Sequence, residues 1–386
     1  MLMRPYSLAP VRGGWGVQAR AALAVCLCLL GAFGFGRARA ASPPVSVTEA
    51  VAAAVRLATA GPTGGQAVLA ADADLVAAIE PSMLVPCLAA FAEATPAGVN
   101  WLSSGLDRAV ERLGDAVPID DLTTFVADVS RPARGRVLAE RWLRNRDPAR
   151  AAELLDGMLA DPALPLRRAA IEKRLAAVED VSEAQQLAVY REMLAAARDV
   201  DQVQAIAAWL REHGETVDVS EVLGFVKRWR VSEAFDNVGG IGFAAVYPPE
   251  QAAAAPDTTD WHEVAAEGDQ GAVDLNAALG TRKGVVAYAV AELDMSRGRT
   301  AEVAEVRIGS PCAVVVWVNG EKVIDREIYH ASEAIDQYVG EAMFRAGTNT
   351  ILVKCCQNEQ TESWAADWKF QLRVCDPLGT PLGVQP

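Results

Sequence analysis

The spacing of apolar residues divides the chain into two parts. Between positions 47 and 228, apolar residues recur every three or four positions in segments interrupted by Pro, Gly or Asp, a pattern typical of amphipathic helices. The motif at 182–185 has the form of a capping box, in which Ser182 accepts from the backbone and Gln185 reaches back to it. These patterns predict a succession of α-helices up to about residue 228.

After Trp229 the helical period disappears and short runs rich in β-branched residues follow. The predicted strands are 284–291, 301–308, 313–318, 322–324, 350–355 and 368–374. Asn319-Gly320 separates the third strand from the fourth, and this pair favours the positive φ angles that a two-residue hairpin turn requires. Short strands joined by such turns predict a two-sheet sandwich or jelly roll.

Composition and length agree with this division of the chain. Ala dominates the front half, whereas Val, Gly and Asn are frequent in the back half. A length of 386 residues also exceeds the usual size of one domain. We therefore expect a multidomain fold, with an N-terminal all-α helical-repeat array over residues 41–228 and a C-terminal all-β sandwich (jelly roll) over residues 229–386.

The first 40 residues have the features of a secretory signal peptide. Arg-bearing residues 1–20 precede an apolar run at 21–36, and Ala38-Arg39-Ala40 supplies small residues at the two positions that a signal peptidase reads. The alternative is a retained membrane anchor, but the run is shorter than the roughly 20 apolar residues that span a bilayer. We expect cleavage near Ala40 and an exported protein, with membrane contact only through an uncleaved anchor.

Charge and cysteine content narrow the possible functions. The formal charge is −14, and removing residues 1–40, with five Arg and no acid, makes it more negative by five. Such a surface repels phosphate backbones, so nucleic acid is not an expected partner. Cleavage leaves five cysteines, and this odd number and its spacing match neither a disulfide framework nor a zinc site. Either Cys355 or Cys356 could pair with Cys375 across a hairpin, or all could be buried thiols.

No catalytic or metal-binding motif stands out in the sequence. The three histidines (His213, His262 and His330) have no metal-ligand spacing, and no nucleophile-elbow motif is present. Carboxylates are abundant, as in any acidic exported domain, and a glycosidase pair cannot be identified by spacing. We therefore expect a protein that is not an enzyme and that carries no cofactor.

Two segments of the predicted sandwich combine aromatic and polar side chains in a way that suits sugar binding. Residues 357–368 mix amides, carboxylates and two Trp, and residues 329–338 form a second such group between strands. Aromatic faces stack on sugar C–H surfaces, while amides and carboxylates bind hydroxyls. The alternative is a polar loop whose Trp residues cap the core. The candidate ligand-binding residues are Tyr329, His330, Asp336, Tyr338, Asn358, Glu359, Trp364 and Trp368.

The second part of the chain resembles the galactose-binding-like jelly-roll modules that accompany bacterial glycoside hydrolases and other exported proteins. The resemblance rests on residues 314–323, which include Asn319-Gly320, and on residues 347–354 and 368–373. It implies a β-sandwich that either binds carbohydrate or is merely structural, often with a structural calcium. The sequence offers no acidic loop that could be assigned to calcium.

The helical part resembles HEAT-type repeats in the turns at 147–150 and 161–162 and in the helix start at 166–170. Tetratricopeptide-like pairs and an irregular supporting bundle are the alternatives. Stacked helix pairs form a surface for protein partners. The expected function is an exported, non-enzymatic protein whose sandwich binds carbohydrate or a surface ligand and whose array binds a protein. The alternatives are a structural component of the cell envelope and an accessory subunit of a secreted hydrolase.

Overall fold

A computed structural model describes residues 46–251, 260–295, 302–383 and 385. The predicted signal peptide at 1–40 lies outside these residues. The first part of the described chain is helical. Its helices are α1 (Ser46–Ala58), α2 (Gly65–Ala78), α3 (Leu84–Ala89), α4 (Pro96–Leu113), α5 (Ile119–Ala127), α6 (Ala133–Arg146), α7 (Pro148–Leu155), α8 (Leu164–Ala176), α9 (Glu183–Ala196), α10 (Val200–Glu212) and α11 (Val219–Leu223).

Local sequence signals determine several of the helix ends. The capping box of Ser182 and Gln185 is present and begins α9 as predicted. The Asp147 side chain accepts from the Arg150 backbone at the start of α7, where Pro148 occupies the first turn without losing a hydrogen bond. These caps satisfy backbone groups that would otherwise be left unpaired at the helix ends.

At three places in the array, an Arg–Asp pair joins two helices that are separated by one helix in the sequence. Arg108 on α4 pairs with Asp72 on α2, 36 residues earlier. The same arrangement recurs over 34 residues between α4 and α6, where Arg141 binds Asp107 at 2.6 Å. A third pair spans 33 residues between α8 and α10, but there the arginine, Arg168, lies on the earlier helix and Asp201 on the later one. These pairs show that the helices they join lie side by side.

The second part of the chain is a sandwich of two antiparallel sheets, which confirms the predicted fold class. Its strands are β1 (Arg228–Ser232), β2 (Phe235–Asp236), β3 (Trp261–Ala265), β4 (Ala272–Asp274), β5 (Val285–Asp294), β6 (Glu302–Gly309), β7 (Ala313–Val318), β8 (Glu321–Arg326), β9 (Tyr338–Phe344), β10 (Thr348–Gln357) and β11 (Lys369–Cys375). The short helices in this part are α12 (Ile241–Ala244), α13 (Pro248–Gln251) and α14 (Leu275–Leu279).

The larger sheet has the strand order β3-β1-β5-β10-β7-β8, with β2 also paired to β5, and the smaller sheet has the order β4-β11-β6-β9. All six strands predicted from the sequence are present. Asn319 and Gly320 have φ angles of 51° and 86° in the β7–β8 hairpin, as the turn chemistry predicts. Alternating residues of both sheets, such as Val316 and Leu372, form the shared core.

Residues 237–251, named the strap below, cover part of the outer face of the larger sheet. Phe243 and Tyr247 pack against the outward-facing Tyr288 of β5. The ammonium group of Lys354, on β10, donates to the carbonyls of Phe243 and Ala245 at 2.9 and 2.7 Å and to Glu250 Oε1 at 2.8 Å. Lys354 therefore fixes the strap to the sheet from beneath.

The helical array joins the sandwich through the smaller sheet. The backbone of Val226 donates to Leu372 O at 2.9 Å, so the segment after α11 runs beside β11. Buried Arg373 points outward from β11 and donates to Leu223 O at 3.1 Å. This guanidinium therefore connects the C-terminal end of α11 to the sheet.

The five cysteines of the described residues are buried and free. Cys355 and Cys356 lie on β10 of the larger sheet, whereas Cys375 ends β11 of the smaller sheet. The bridge to Cys375 considered from the sequence is therefore absent, because those strands belong to different sheets and not to one hairpin. Burial raises the pKa of the Cys356 thiol to about 12, which keeps it protonated and weakly nucleophilic.

Candidate functional site

Three loops converge at one end of the larger sheet. β5 begins and β10 ends there, and β8 ends there as well, because β7 and β8 pair antiparallel from Val314 and Arg326. The loops are the start of the strap, the segment after β8 and the segment after β10. The residues that form this end site are Asn237, Tyr329, His330, Asn358, Glu359 and Trp364.

Asn237 holds the three loops together. Its side-chain nitrogen donates to Tyr329 Oη at 3.2 Å and to Gln357 O at 3.0 Å, and its backbone nitrogen donates to Gly284 O at 2.8 Å. The residue is fully buried. Because each bond reaches a different segment, Asn237 fixes the relative positions of the side chains above it.

His330 and Asn358 form the polar part of the end site. His330 Nε2 lies 2.7 Å from Asn358 Oδ1. The backbone nitrogen of Gln360 also donates to Asn358 Oδ1 at 3.1 Å, which identifies this atom as an acceptor, so we assign His330 Nε2 as the donor. His330 has a φ of 55°, a strained conformation for a side chain with a Cβ atom.

Trp364 forms the aromatic part of the end site and is 62% exposed. The His330 and Trp364 rings are perpendicular, with ring centroids 5.1 Å apart and an interplanar angle of 89°. Such an arrangement is favourable because the positive ring edge faces the negative ring face. It also orients the indole without covering all of it, and most of the side chain remains accessible to a ligand.

Glu359 and Tyr329 complete the site. The exposed Glu359 carboxylate accepts from the backbone nitrogen of Gly239, which ties the loop after β10 to the strap. Gly284 lies beneath this contact, where an added Cβ atom would approach Glu359 and Val238 to 3.2 Å. Burial is the largest factor that raises the pKa of Tyr329 to about 12, so its hydroxyl stays protonated and can donate.

Three of the residues singled out from the sequence do not belong to this group. Trp368 is completely buried, donates from Nε1 to Cys355 O at 3.1 Å and packs in the sandwich core. The prediction that Trp368 contacts a ligand is therefore wrong, and the alternative, a Trp that caps the core, is correct for this residue. Tyr338 is the first residue of β9 on the smaller sheet, where Arg326 lies 5.8 Å from its ring centre.

Asp336 is engaged in an ion cluster between the smaller sheet and the helical array. Its carboxylate binds Arg373 through Nε at 2.7 Å and through Nη2 at 2.5 Å, and Arg307 donates to it at 2.8 Å. Burial raises the pKa of Asp336, but the hydrogen bonds and charges of the two guanidinium groups outweigh it and hold the pKa below its usual value. Both carboxylate oxygens are occupied, so Asp336 is a structural residue.

The sequence patterns missed the two residues that organise this part of the sandwich. Asn237 is a single polar residue in a loop, and its partners lie 92 and 120 residues away. Lys354 could have been recognised from the sequence, because a charged residue within the apolar run of a central strand requires buried partners. Its carboxylate partner Glu250 lies 104 residues earlier and could not be identified from the sequence.

A row of stacked aromatic rings lies on the helical array. Tyr190 on α9 stacks on Trp209 of α10 at a centroid distance of 3.6 Å, and Trp209 stacks on His213 at 3.7 Å. All three side chains are partly exposed. The row is therefore both a packing contact between α9 and α10 and an aromatic surface.

Within the described residues, no group of three or more His, Cys, Asp or Glu side chains is arranged to hold a metal ion. None of the helices in the described ranges is long and apolar enough to span a bilayer. The possible calcium site remains an implication of the resemblance, and no residue set in the described chain is assigned to it.

No protein-family model matches the chain, and no curated protein matches it. Among solved structures, an anti-sigma factor domain-containing protein is 13% identical with a TM-score of 0.23, over 41% of this chain and 48% of that chain. The GH31 alpha-xylosidase from Xanthomonas citri is 11% identical with a TM-score of 0.19, over 38% of this chain and 16% of that chain. These scores are too low to support a fold family or a function.

Proposed function

We propose that this is a non-enzymatic exported protein that binds carbohydrate at the end site of its sandwich. The observation that supports this most directly is the exposed Trp364 indole beside the polar groups of His330, Asn358 and Glu359. The proposal places the sandwich among the galactose-binding-like modules that its sequence resembles. Five of the eight residues expected from the sequence (Tyr329, His330, Asn358, Glu359 and Trp364) lie together in this site.

The chemistry of the end site suits a neutral sugar ring. The Trp364 face can stack on the C–H surface of a pyranose, while the Asn358 amide and the Glu359 carboxylate can bind hydroxyls at its edge. Glu359 and the overall charge of −14 disfavour uronic or sialic acids. The Asn237 bonds fix the loops before a ligand arrives, which reduces the entropy lost on binding.

A glycan array probed with the full chain tests this proposal. Three proteins are compared: the wild type, Trp364→Ala, and Trp101→Ala, in which a partly exposed Trp of the helical array is removed as a matched control. The expected result is a set of neutral glycans retained by the wild type and by Trp101→Ala and lost by Trp364→Ala. Absence of binding to every glycan, with the chain folded, contradicts the proposal and favours a structural or accessory role.

Export is a separate part of the proposal and has its own test. The charged segment, apolar run and small residues before Ala41 form a secretory signal in the sequence. Expression of the full precursor in a bacterium, followed by N-terminal sequencing of protein from the periplasm, should give a chain that begins at Ala41. An intact precursor in the membrane fraction would instead indicate a retained anchor.

We also propose that the helical region is a HEAT-like array of stacked pairs that binds a protein partner. The recurring Arg–Asp contacts at intervals of 33–36 residues support regular stacking. The stacked rings of Tyr190, Trp209 and His213 supply an aromatic surface, and such residues are frequent at interface hot spots.

Capture of partners from envelope extracts tests the role of the array. The expected outcome is a defined protein retained by the wild type and by Trp101→Ala but lost by Trp209→Ala, with circular dichroism confirming that each variant is folded. Equal retention by all three proteins would exclude the stacked rings as the interface.

A further inference from the structure

Two buried thiols lie close together in the core of the sandwich. Cys312 lies immediately before β7, and Cys355 lies near the end of β10. In the ladder between these strands, Cys355 is opposite Val314 and Cys356 is opposite Ala313. Side chains alternate along a strand, so Cys312 and Cys355 face the shared core, whereas Cys356 faces the outer side of the larger sheet. Cys312 is therefore a diagonal neighbour of Cys355 on the inner side.

The hydroxyl of Ser310 connects the two cysteines. Ser310 Oγ accepts from the backbone nitrogen of Cys312 at 3.0 Å and lies 4.0 Å from Cys355 Sγ. It donates to Lys369 O at 2.8 Å, and Cys355 Sγ lies 4.0 Å from that same carbonyl oxygen. The Cys312 thiol donates to Asp367 O at 3.3 Å, two residues earlier on the same segment. The two thiols therefore share one set of neighbours.

The two thiols also act on each other. Burial, followed by a hydrogen bond with the Cys312 side chain, raises the pKa of Cys355 well above its usual value. A thiol is a weak donor and a weak acceptor, so this contact adds little stability compared with a covalent bond. Both residues are at most 2% exposed, which makes the folded thiols poorly reactive. A covalent bond between them must therefore form while the sandwich is still folding.

We propose that Cys312 and Cys355 form a disulfide when the chain folds in an oxidising compartment. The oxidant is itself a disulfide. The Cys312 thiolate attacks one of its sulfurs and expels a thiolate, and the Cys355 thiolate then attacks the Cys312 sulfur of the mixed disulfide and expels the second thiolate. The two protons of the cysteines pass to the expelled thiolates, so the oxidant is reduced to two thiols. In the cell this step rests on the export proposed above, because cytosolic thiols are kept reduced.

The position of Cys312 suits this bond. The residue lies in a bend outside the paired part of β7, so its side chain can approach Cys355 without shifting the strand ladder. The bond closes a long loop that contains β7, β8 and β9, which restricts the unfolded chain. It also lies beneath the end site, because Gln357, two residues after Cys355, accepts from Asn237 through its carbonyl oxygen. The disulfide therefore fixes the end of β10 that carries the end site.

Refolding of the full chain from denaturant in a buffer of reduced and oxidised glutathione tests the pair. This buffer supplies the oxidant without secretion, so a failure of the export proposal leaves the result unaffected. Free thiols are then blocked in denaturant, and trypsin releases Cys312 within residues 308–322 and Cys355 together with Cys356 within residues 355–369. Because the second peptide holds two cysteines, variants identify the partner. Cys356→Ala is the matched control for Cys355→Ala, since it removes the adjacent cysteine on the outer side.

The expected result is a linked pair of these two peptides from the wild type and from Cys356→Ala, and its loss after reduction with dithiothreitol. The linked pair should be lost in Cys355→Ala and in a second variant, Cys312→Ala. Recovery of both peptides only in blocked form from the refolded wild type overturns the proposal, and so does a linked pair that persists in Cys355→Ala. Circular dichroism confirms that each refolded protein is folded.

Discussion

The larger sheet carries two polar clusters of opposite character. The closed cluster, formed by Lys354, Glu250 and Tyr288, lies under the strap, and the ammonium group of Lys354 has an acceptor for each of its three protons. The end site opens to solvent and contains Trp364, which is 62% exposed. Both clusters combine aromatic rings with charged or amide groups, so residue type alone does not distinguish them.

The difference between the clusters lies in how completely the polar groups are satisfied. In the closed cluster, Tyr288 donates to Glu250, and burial is the first factor that raises the pKa of Tyr288. Lys354 also lies 5.7 Å from the centre of the Tyr288 ring, within cation–π range. The hydroxyl of Tyr288 and the ammonium group of Lys354 therefore have no proton left to donate to a ligand. The end site has fixed loops but an uncovered indole and an exposed carboxylate, which is the state expected of a preorganised binding site.

The largest effect is expected from breaking the closed cluster. Lys354→Ala leaves Glu250 and two strap carbonyls without their buried cationic partner and should lower the free energy of unfolding by about 3–5 kcal/mol. Urea unfolding of the full chain measures this. Lys322→Ala is the control, because Lys322 forms only a surface pair with Asp325 and should change stability by less than about 0.5 kcal/mol. Similar small losses in both variants would show that Lys354 does not hold the strap.

An intermediate effect with a distinct pH dependence is expected at Asp336. Asp336→Asn removes the carboxylate partner of buried Arg373 and should destabilise the protein by about 2 kcal/mol at neutral pH. The folded pKa of Asp336 is lowered, so its contribution is present above the unfolded pKa of about 3.9 and is lost as the pH falls through the folded value.

Unfolding midpoints measured from pH 7 downward should therefore converge for wild type and Asp336→Asn at acidic pH. A stability difference that does not shrink as the pH falls below the unfolded pKa of about 3.9 would contradict the ion cluster. Glu341→Gln is a control of the same charge change on β9, for which no ion pair is present among the described residues, and it should show no such convergence.

The smallest effect on stability is expected in the end site. Trp364→Ala removes an exposed indole and should change the free energy of unfolding by less than about 0.5 kcal/mol, whereas Trp368→Ala should cost about 3–5 kcal/mol. Thermal unfolding of the two variants separates the ligand-facing Trp from the core Trp. A large loss of stability in Trp364→Ala would indicate that this residue, too, closes the core.

Local patterns predicted the elements of the fold well, because each depends on neighbours in the sequence. The capping box at Ser182, the hairpin turn at Asn319-Gly320 and six strands needed no distant information. The strands β1 to β4 and β9 were not among those six; in β9, Gly340 and Glu341 interrupt the apolar pattern. The inward position of Trp368 could have been inferred, since Trp368, Phe370 and Leu372 alternate toward the core.

The composition of the candidate site was less accessible to sequence reasoning. The segments 329–338 and 357–368 were found by composition, but the structure divides the first of them. Tyr329 and His330 stay at the end site, whereas Asp336 crosses to Arg307 and Arg373 on the smaller sheet. The path of the segment that connects the two sheets decides which of its side chains lie near each sheet. Tertiary contacts determine that path, so it cannot be predicted from the local sequence.

The most direct test of carbohydrate binding at the end site is calorimetric titration of the full chain with a neutral glycan that the glycan array identifies as a ligand. We expect saturable binding to the wild type, the same affinity for Lys322→Ala, and affinity at least about tenfold lower for Trp364→Ala, since the stacking surface is lost. Equal affinity of wild type and Trp364→Ala would contradict it, because the exposed indole would then take no part in the function of the sandwich.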